Sequence, residues 1–446
     1  MTPEPEDDPE LADDAGLEGD KAEEGPRAEP ERAILVGLQS LRGAGRRSTR
    51  ELMLLAQTSG VSPVGLVVQA RRRPDGATFI GRGKVEELRV SVLRHGAEVV
   101  IFNAPLTPVQ QRNLVNALEC KVLDRPELIL DIFGQHARSR EGKLQVELAR
   151  LTYELPRLVG RGHMMSRIGG GRRGGVGIRG PGEPQLATER RHIERRIRRL
   201  RQELEEIKQR RDTERTERKR RGMPLVSLVG YTNAGKSTLL NALAGSEEVS
   251  VDDQLFETLD PTVRRVTLAD GFQALVGDTV GFIQDLPHSL IAAFRATLEE
   301  VVQADLLVHV VDAADQYAEE QMASVQDVLE EIEAANLPTI VVLNKWDRAE
   351  GLERGRRLVE AYPEALPISA LRGDGLDALR REITEALALR LVPTSARLPY
   401  GRLELLQLVR ERGRLVSEEY RADYVLIEAE LDPETLARLA PYLTSE

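Results

Sequence analysis

The segment Leu228-Val229-Gly230-Tyr231-Thr232-Asn233-Ala234-Gly235-Lys236-Ser237-Thr238 constrains the fold more than any other part of the chain. An apolar strand runs into a loop framed by two glycines and then into a helix start, an order that belongs to a βα crossover in a parallel sheet. Gly230 and Gly235 let the backbone wrap a β-phosphate. Lys236 brings positive charge to the β- and γ-phosphates, and the Ser237 hydroxyl can bind Mg²⁺. Residues 225–229, 273–276, 306–311 and 339–343 are apolar runs separated by helical lengths, the pattern of a doubly wound, mostly parallel α/β sheet.

Four further elements follow in the order a nucleotide switch needs. Asn344-Lys345-Trp346-Asp347 ends the last of those strands. A carboxylate there accepts two hydrogen bonds from guanine N1 and N2, and it rejects adenine because Asp347 would be left buried and unpaired. Ser369-Ala370-Leu371 follows another strand and reads as the loop closing over the base. Gly277-Asp278-Thr279-Val280-Gly281 also ends a strand, so Asp278 can hold Mg²⁺ through water while the Gly281 amide reads the γ-phosphate. Upstream, Phe256-Glu257-Thr258-Leu259-Asp260-Pro261-Thr262 offers two threonines to the Mg²⁺ shell, Thr258 preferred and Thr262 second.

One element is missing. Phe282 stands where many such switches carry the glutamine that orients the attacking water. Slow intrinsic hydrolysis is therefore expected, with a partner, a monovalent cation or a residue elsewhere completing the site. Lys236 is one candidate for direct catalytic help. Asn233 is the other, because in a subset of GTPases an asparagine at this loop position helps hold a potassium ion near the bridging oxygens.

The rest of the chain divides by composition. Its 446 residues imply several domains. The net charge of −11 is concentrated in residues 1–31, which hold 13 acidic and 2 basic residues and almost no large apolar side chain. Such a tail cannot bury enough surface to offset its ordering entropy and reads as disordered. Residues 157–222 reverse the balance with 21 basic and 9 acidic residues, a nucleic-acid-sized charge or a solvated helix. One cysteine, Cys120, excludes an internal disulfide framework and reads as plain core. No run resembles a membrane helix or a signal peptide, so a cytoplasmic monomer that avoids membranes is expected.

Residues 32–138 alternate strands (33–38, 65–69, 98–103, 121–123) with helices (50–57, 84–95, 108–118), a small α/β domain. Within it Phe79-Ile80-Gly81-Arg82-Gly83-Lys84 reads as a phosphate-facing turn or an ordinary tight one. In residues 139–222, Leu144, Leu148, Leu151, Leu155 and Leu158 repeat the 4,3 spacing of Ile193, Ile197, Leu200, Leu204 and Ile207. Two matched stripes predict an antiparallel helical hairpin, the second helix running from about 188 to 219. Its tip is residues 160–182, with ten glycines and five arginines, suited to RNA phosphates or serving as a passive linker. A G domain at 223–389 and a small C-terminal α/β unit at 390–446 complete the chain, the latter with helices at 403–411 and 433–440 and a strand at 424–430.

These residues resemble the HflX GTPases, within the Obg and HflX group of translational GTPases. The resemblance spans about residues 33–443. It rests also on Leu123-Asp124-Arg125, Leu128-Ile129-Leu130-Asp131-Ile132-Phe133, Glu141-Gly142-Lys143-Leu144-Gln145-Val146-Glu147-Leu148-Ala149 and Leu155-Pro156-Arg157-Leu158. Arg179-Gly180-Pro181-Gly182-Glu183-Pro184-Gln185-Leu186 joins them, with Pro184 where the family pattern has threonine. The resemblance implies GTP/GDP contacts along Gly230 to Ser237, Phe256 to Asp260, Asp278 to Gly281, Asn344 to Asp347 and Ser369 to Leu371. It also implies association with the large (50S) ribosomal subunit and a task in ribosome splitting, rescue, recycling or subunit biogenesis. A non-ribosomal RNA-remodelling GTPase is the alternative, and a protein-binding scaffold with a vestigial site is disfavoured by intact Lys236, Ser237, Asp278 and Asp347.

Overall fold

Alternation along one strand sets the N-terminal architecture. In β1 (Arg32–Gln39) Ala33 and Leu35 point to one face, and Ile34 and Val36 to the other. Both faces are apolar, so both must be covered. The computed structural model describes residues 30–39, 45–160, 182–220, 223–245, 256, 262–283, 295–349, 351–388, 391–431 and 433–444. Strands β2 (Ser62–Ala70), β3 (Val99–Phe102) and β4 (Lys121–Asp124) join β1 in a parallel sheet of order β2-β1-β3-β4. Helices α1 (Gly45–Thr58) and α4 (Arg125–His136) cover the first face, and α2 (Arg82–His95) and α3 (Pro108–Leu118) the second.

Helix α4 is absent from the sequence-based reading, although Asp124-Arg125-Pro126-Glu127 announces it. The Asp124 side chain accepts from the Glu127 amide, Glu127 reaches back to the Asp124 amide, and a proline occupies the first turn. The segment around Gly81 forms a tight turn: Asp75 accepts from the amides of Ala77 and Thr78, and the Gly81 amide is taken by the Gln69 side chain at 2.9 Å. Cys120 is half-buried against the α2/α3 face, where burial pushes its thiol up.

Helices α5 (Arg140–Glu154) and α6 (Gly182–Arg220) pack along the matched stripes, burying Leu144, Ile197 and Leu200. Arg196 closes a two-pronged bond on Glu147, and Arg211 pairs with Glu141. Two features differ from expectation. The α-helix stops before Pro156, and Leu155–Gly160 continues as a 3₁₀ turn, because a proline in the helix interior removes a donor and clashes with the preceding turn. Helix α6 starts at Gly182 rather than near 188, so Pro184 falls in its first turn, where the missing N–H costs nothing. Helix α5 has a second buried face as well: Val146, Ala149 and Tyr153 join the core under α1 and α4.

The second sheet contains β5 (Leu225–Gly230), β6 (Thr262–Thr267), β7 (Gln273–Asp278), β8 (Leu306–Asp312), β9 (Thr339–Asn344) and β10 (Leu366–Pro367) in the order β10-β9-β8-β5-β7-β6. All neighbours are parallel except β6 and β7. Strand β6 eluded the sequence because Arg264 and Arg265 interrupt its apolar pattern, which an edge position tolerates. Helices α7 (Lys236–Ala244), α8 (Arg295–Val302), α9 (Ala318–Glu331), α10 (Trp346–Ala349), α11 (Glu353–Ala361) and α12 (Leu376–Ala388) surround this sheet. A third, antiparallel sheet of order β11-β13-β12 (Val392–Pro399, Tyr424–Leu431, Arg414–Tyr420) carries α13 (Leu403–Arg412) and α14 (Pro433–Leu439). Among the described residues no helix is long and apolar enough to cross a membrane. The acidic tail up to residue 29, tip residues 161–181, and Glu257, Thr258, Leu259 and Asp260 lie outside the described residues.

Candidate nucleotide site

The candidate site forms where five parallel strands, β10, β9, β8, β5 and β7, end together, the side of an open α/β sheet on which loops converge. Strand β5 delivers Gly230 to Gly235, and α7 begins at Lys236. Gly235 sits at φ +92°, and a Cβ there would stand 2.3 Å from the Asn344 side-chain nitrogen. That nitrogen donates to the Ala234 carbonyl at 2.8 Å, while the Asn344 carbonyl oxygen accepts from the Ala370 amide at 3.0 Å. Asn344 therefore ties the phosphate loop to the loop after β10, and only glycine allows it so close.

Lys345 repeats the stitch. Its ammonium donates to the Asn233 carbonyl at 2.6 Å and pairs with Asp312 at 2.9 Å. The Asp347 side chain is 9% exposed, and one carboxylate oxygen accepts from the Ser369 hydroxyl at 2.7 Å. Its other oxygen lies 3.9 Å from the Arg372 guanidinium. Trp346 takes part through its backbone, donating to the Ile368 carbonyl, while its ring packs toward Gly355 of α11. Leu371 is 74% exposed at the rim.

On the phosphate side, the Ser237 hydroxyl donates to Asp278 Oδ2 at 2.6 Å, and Asp278 is fully buried. Mg²⁺ requires hard oxygen ligands, and this hydroxyl–carboxylate pair at a strand end is such a set, so the residues fit the ion. Ser237 and Asp278 would hold the ion, which would supply positive charge to the β- and γ-phosphates. Thr279 is turned away, its hydroxyl donating to the Leu228 carbonyl. A Cβ on Gly281 would meet Thr232 Cα at 2.8 Å, so glycine keeps its amide against the loop. Phe282 is 2% exposed and packs in the core, so this ring does not replace the missing glutamine.

Lys236 is buried and donates to the carbonyls of Gly230 (3.2 Å) and Tyr231 (2.9 Å). Burial lowers its ammonium to about 8; Asp278 opposes that shift and Lys345 adds to it. Beneath it on β8 lies His309, a lone histidine in an apolar strand that carries no signal in the sequence. Burial, helped by the charge of Lys236, lowers it to about 4, so it stays neutral under the phosphate loop. A histidine depressed in the folded state leaves stability intact above its unfolded value and removes it as pH falls toward the folded one. Between about pH 7 and about pH 5 this one residue should cost about 2 kcal/mol. Denaturant unfolding of the chain and of His309→Asn at both pH values should show a smaller drop for the variant by that amount.

Three family models match the chain: "GTP-binding GTPase N-terminal" over residues 46–134, "GTP-binding GTPase Middle Region" over 136–218, and "50S ribosome-binding GTPase" over 225–345. "GTPase HflX" of Caldanaerobacter subterraneus subsp. tengcongensis is 43% identical over 417 residues, covering 94% of this chain and 95% of that one. "GTPase HflX" of Escherichia coli (strain K12) is 44% identical over 370 residues, covering 83% and 86%. Among solved structures, a GTP-binding protein from Sulfolobus solfataricus in complex with GDP is 26% identical with a TM-score of 0.43, covering 80% of this chain and 99% of that one. The HflX relatives at 43% and 44% identity over most of its length, together with the three family models, make the chain a member of the HflX family, a GTPase that hydrolyses GTP to GDP and phosphate.

Proposed function

We propose that this GTPase acts on the large (50S) ribosomal subunit, contacting its RNA with residues 160–182 and using the GTP cycle to split stalled or idle ribosomes for rescue and recycling. The observation that carries the reading is the position of α6. This 39-residue helix spans about 58 Å at a rise of about 1.5 Å per residue. Its far end joins the glycine- and arginine-rich segment. Lower down, Lys208 pairs with Glu299 of α8 at 2.8 Å, a helix that follows the Gly281 segment in the chain. Arginine on a glycine backbone suits phosphate contacts, and the description of the family model over 225–345 names the 50S subunit.

The test is sedimentation of intact ribosomes with the full chain and a non-hydrolysable GTP analogue. Separation into subunits supports the reading. Tight binding to free RNA with no subunit release and no stimulation of hydrolysis by large subunits rejects it in favour of an RNA-remodelling GTPase.

Within the same reading, the GTP contacts are Gly230, Tyr231, Thr232, Asn233, Ala234, Gly235, Lys236, Ser237, the Phe256 to Asp260 stretch, Asp278 to Gly281, Asn344 to Asp347 and Ser369 to Leu371. Thr258 completes the Mg²⁺ shell in preference to Thr262, which begins strand β6 and pairs in register with Asp278. Three separate sheets support the division at 32–138, 223–389 and 390–446, with the hairpin at 139–222. Asn233 takes φ +58° with its carbonyl held by Lys345, which leaves its exposed side chain at the loop's outer edge for a potassium ion. Exchanging sodium for potassium should then speed hydrolysis roughly ten-fold in wild type and little in Asn233→Ala. Equal rates in the two salts reject the potassium role.

A further inference from the structure

We propose that Glu51, on helix α1 of the N-terminal domain, is a positioning residue for GTP hydrolysis, acting through Tyr231 on the phosphate loop. The two residues lie 180 positions apart, and the Tyr231 hydroxyl donates to Glu51 Oε1 at 2.7 Å. The same carboxylate pairs with Arg125 of α4 at 3.0 Å, with side chains only 9% and 3% exposed. Its second oxygen is buried and has no partner among the described residues. A buried carboxylate left half-satisfied is costly, and such costs gather where geometry matters more than stability.

Tyr231 is where the N-terminal domain meets the site. Its side chain is held by Glu51, and its backbone carbonyl accepts from the Lys236 ammonium. On either side of it, the Thr232 amide donates to the Phe282 carbonyl at 2.8 Å and the Phe282 amide to the Gly230 carbonyl at 3.1 Å. Those bonds join the phosphate loop to the residue after Gly281. One tyrosine therefore connects an N-terminal carboxylate, the phosphate-binding lysine and the γ-phosphate-sensing strand end.

A second contact runs the same way. Phe133 of α4 meets Phe256 edge-on with ring centres 4.6 Å apart, just before the segment that carries Thr258. Leu52, Leu55, Ile129 and Phe133 share one continuous core with Tyr231, Phe256, Val280 and Phe282. The N-terminal domain is thus packed against the parts of the G domain that sense nucleotide, and Glu51 supplies the polar, directional bond in that interface. A shift of Tyr231 moves the Lys236 carbonyl partner with it. Losing the bond should therefore weaken placement of the lysine during phosphoryl transfer more than it weakens nucleotide capture.

The experiment measures kcat and KM for GTP in the full chain with Glu51→Ala, Glu51→Gln, Tyr231→Phe and the Glu51→Ala/Tyr231→Phe double variant, at a temperature where circular dichroism shows each folded. The expected result is a kcat lowered about ten-fold in Glu51→Ala and Tyr231→Phe, with KM within about two-fold. The double variant should be no worse than either single one, because both remove the same bond. Glu51→Gln keeps an acceptor for the tyrosine and should recover kcat to within about three-fold, while lowering the melting temperature because Arg125 loses its anion. The proposal is overturned if Tyr231→Phe keeps wild-type kcat, if the single losses multiply in the double variant, or if Glu51→Gln is as slow as Glu51→Ala. Should Glu51→Ala fail to fold, Tyr231→Phe decides alone, since it removes only the donating hydroxyl.

Discussion

Asp347→Asn should weaken GTP binding roughly 100-fold and raise affinity for xanthosine triphosphate by a similar factor. A pair of charge-assisted hydrogen bonds contributes about 3 kcal/mol, and a tenfold change in affinity corresponds to about 1.4 kcal/mol. The structure explains why asparagine is the informative replacement. The Ser369 hydroxyl already donates to one Asp347 oxygen at 2.7 Å. An asparagine can keep that bond through its carbonyl oxygen, so its amide nitrogen faces the base and meets the xanthine carbonyl where guanine offers an amino group. The loop is otherwise undisturbed, because Asn344 and Lys345 hold it to Ala234 and Asn233 independently. Competition binding of the two triphosphates measures the exchange, and unchanged GTP affinity in the variant would refute the assignment of Asp347.

Replacing residues 161–181 with a short glycine–serine turn should abolish ribosome splitting while leaving basal hydrolysis within about two-fold of wild type. No residue of the nucleotide site is touched, and the helices on either side keep their Arg196–Glu147 and Arg211–Glu141 pairs. Splitting measured by sedimentation should fall at least ten-fold. The salt dependence of subunit binding should flatten, because each arginine that neutralises a phosphate contributes about 0.9 to the slope of log affinity against log salt, and five arginines leave with the segment. A stiff lever from tip to Lys208 and Glu299 is a coupling hypothesis, and it makes a second demand. Stimulation of hydrolysis by large subunits should be lost together with splitting. A variant that still separates ribosomes at the wild-type rate would reduce the segment to a linker.

Local signals carried much of the fold because they depend on periodicity and on residues with special backbone needs. The four strands of the N-terminal sheet and the parallel strands of the G domain were legible as apolar runs, since strands covered on both faces show little else. The candidate phosphate and guanine elements were legible for a different reason. They are short loops at strand ends, where chemistry demands particular residues at fixed offsets. Helix α4 was legible in principle from its Asp124–Glu127 capping box. Strand β6 was not, because an edge strand with paired arginines has no pattern of its own. The end of α5 followed Pro156 and not the leucine spacing, since a missing donor and a steric clash outweigh one more apolar contact.

Sequence by itself determined the order of the domains, the positions of most of their strands, the candidate groups for phosphate and guanine, and the reversal of charge between tail and hairpin. Only the tertiary structure decided which distant residues share a site. Nothing near Glu51 marks it as a neighbour of Tyr231, and nothing near Phe133 points to Phe256; both pairs exist because α1 and α4 share a core with the segments around Tyr231, Phe256 and Phe282. Likewise His309 becomes a neutral group under Lys236 only once β8 is buried beside β5. Chemistry that depends on spacing along the chain is written locally, whereas burial, pairing across domains and the resulting shifts in charge are properties of what the folded chain brings together.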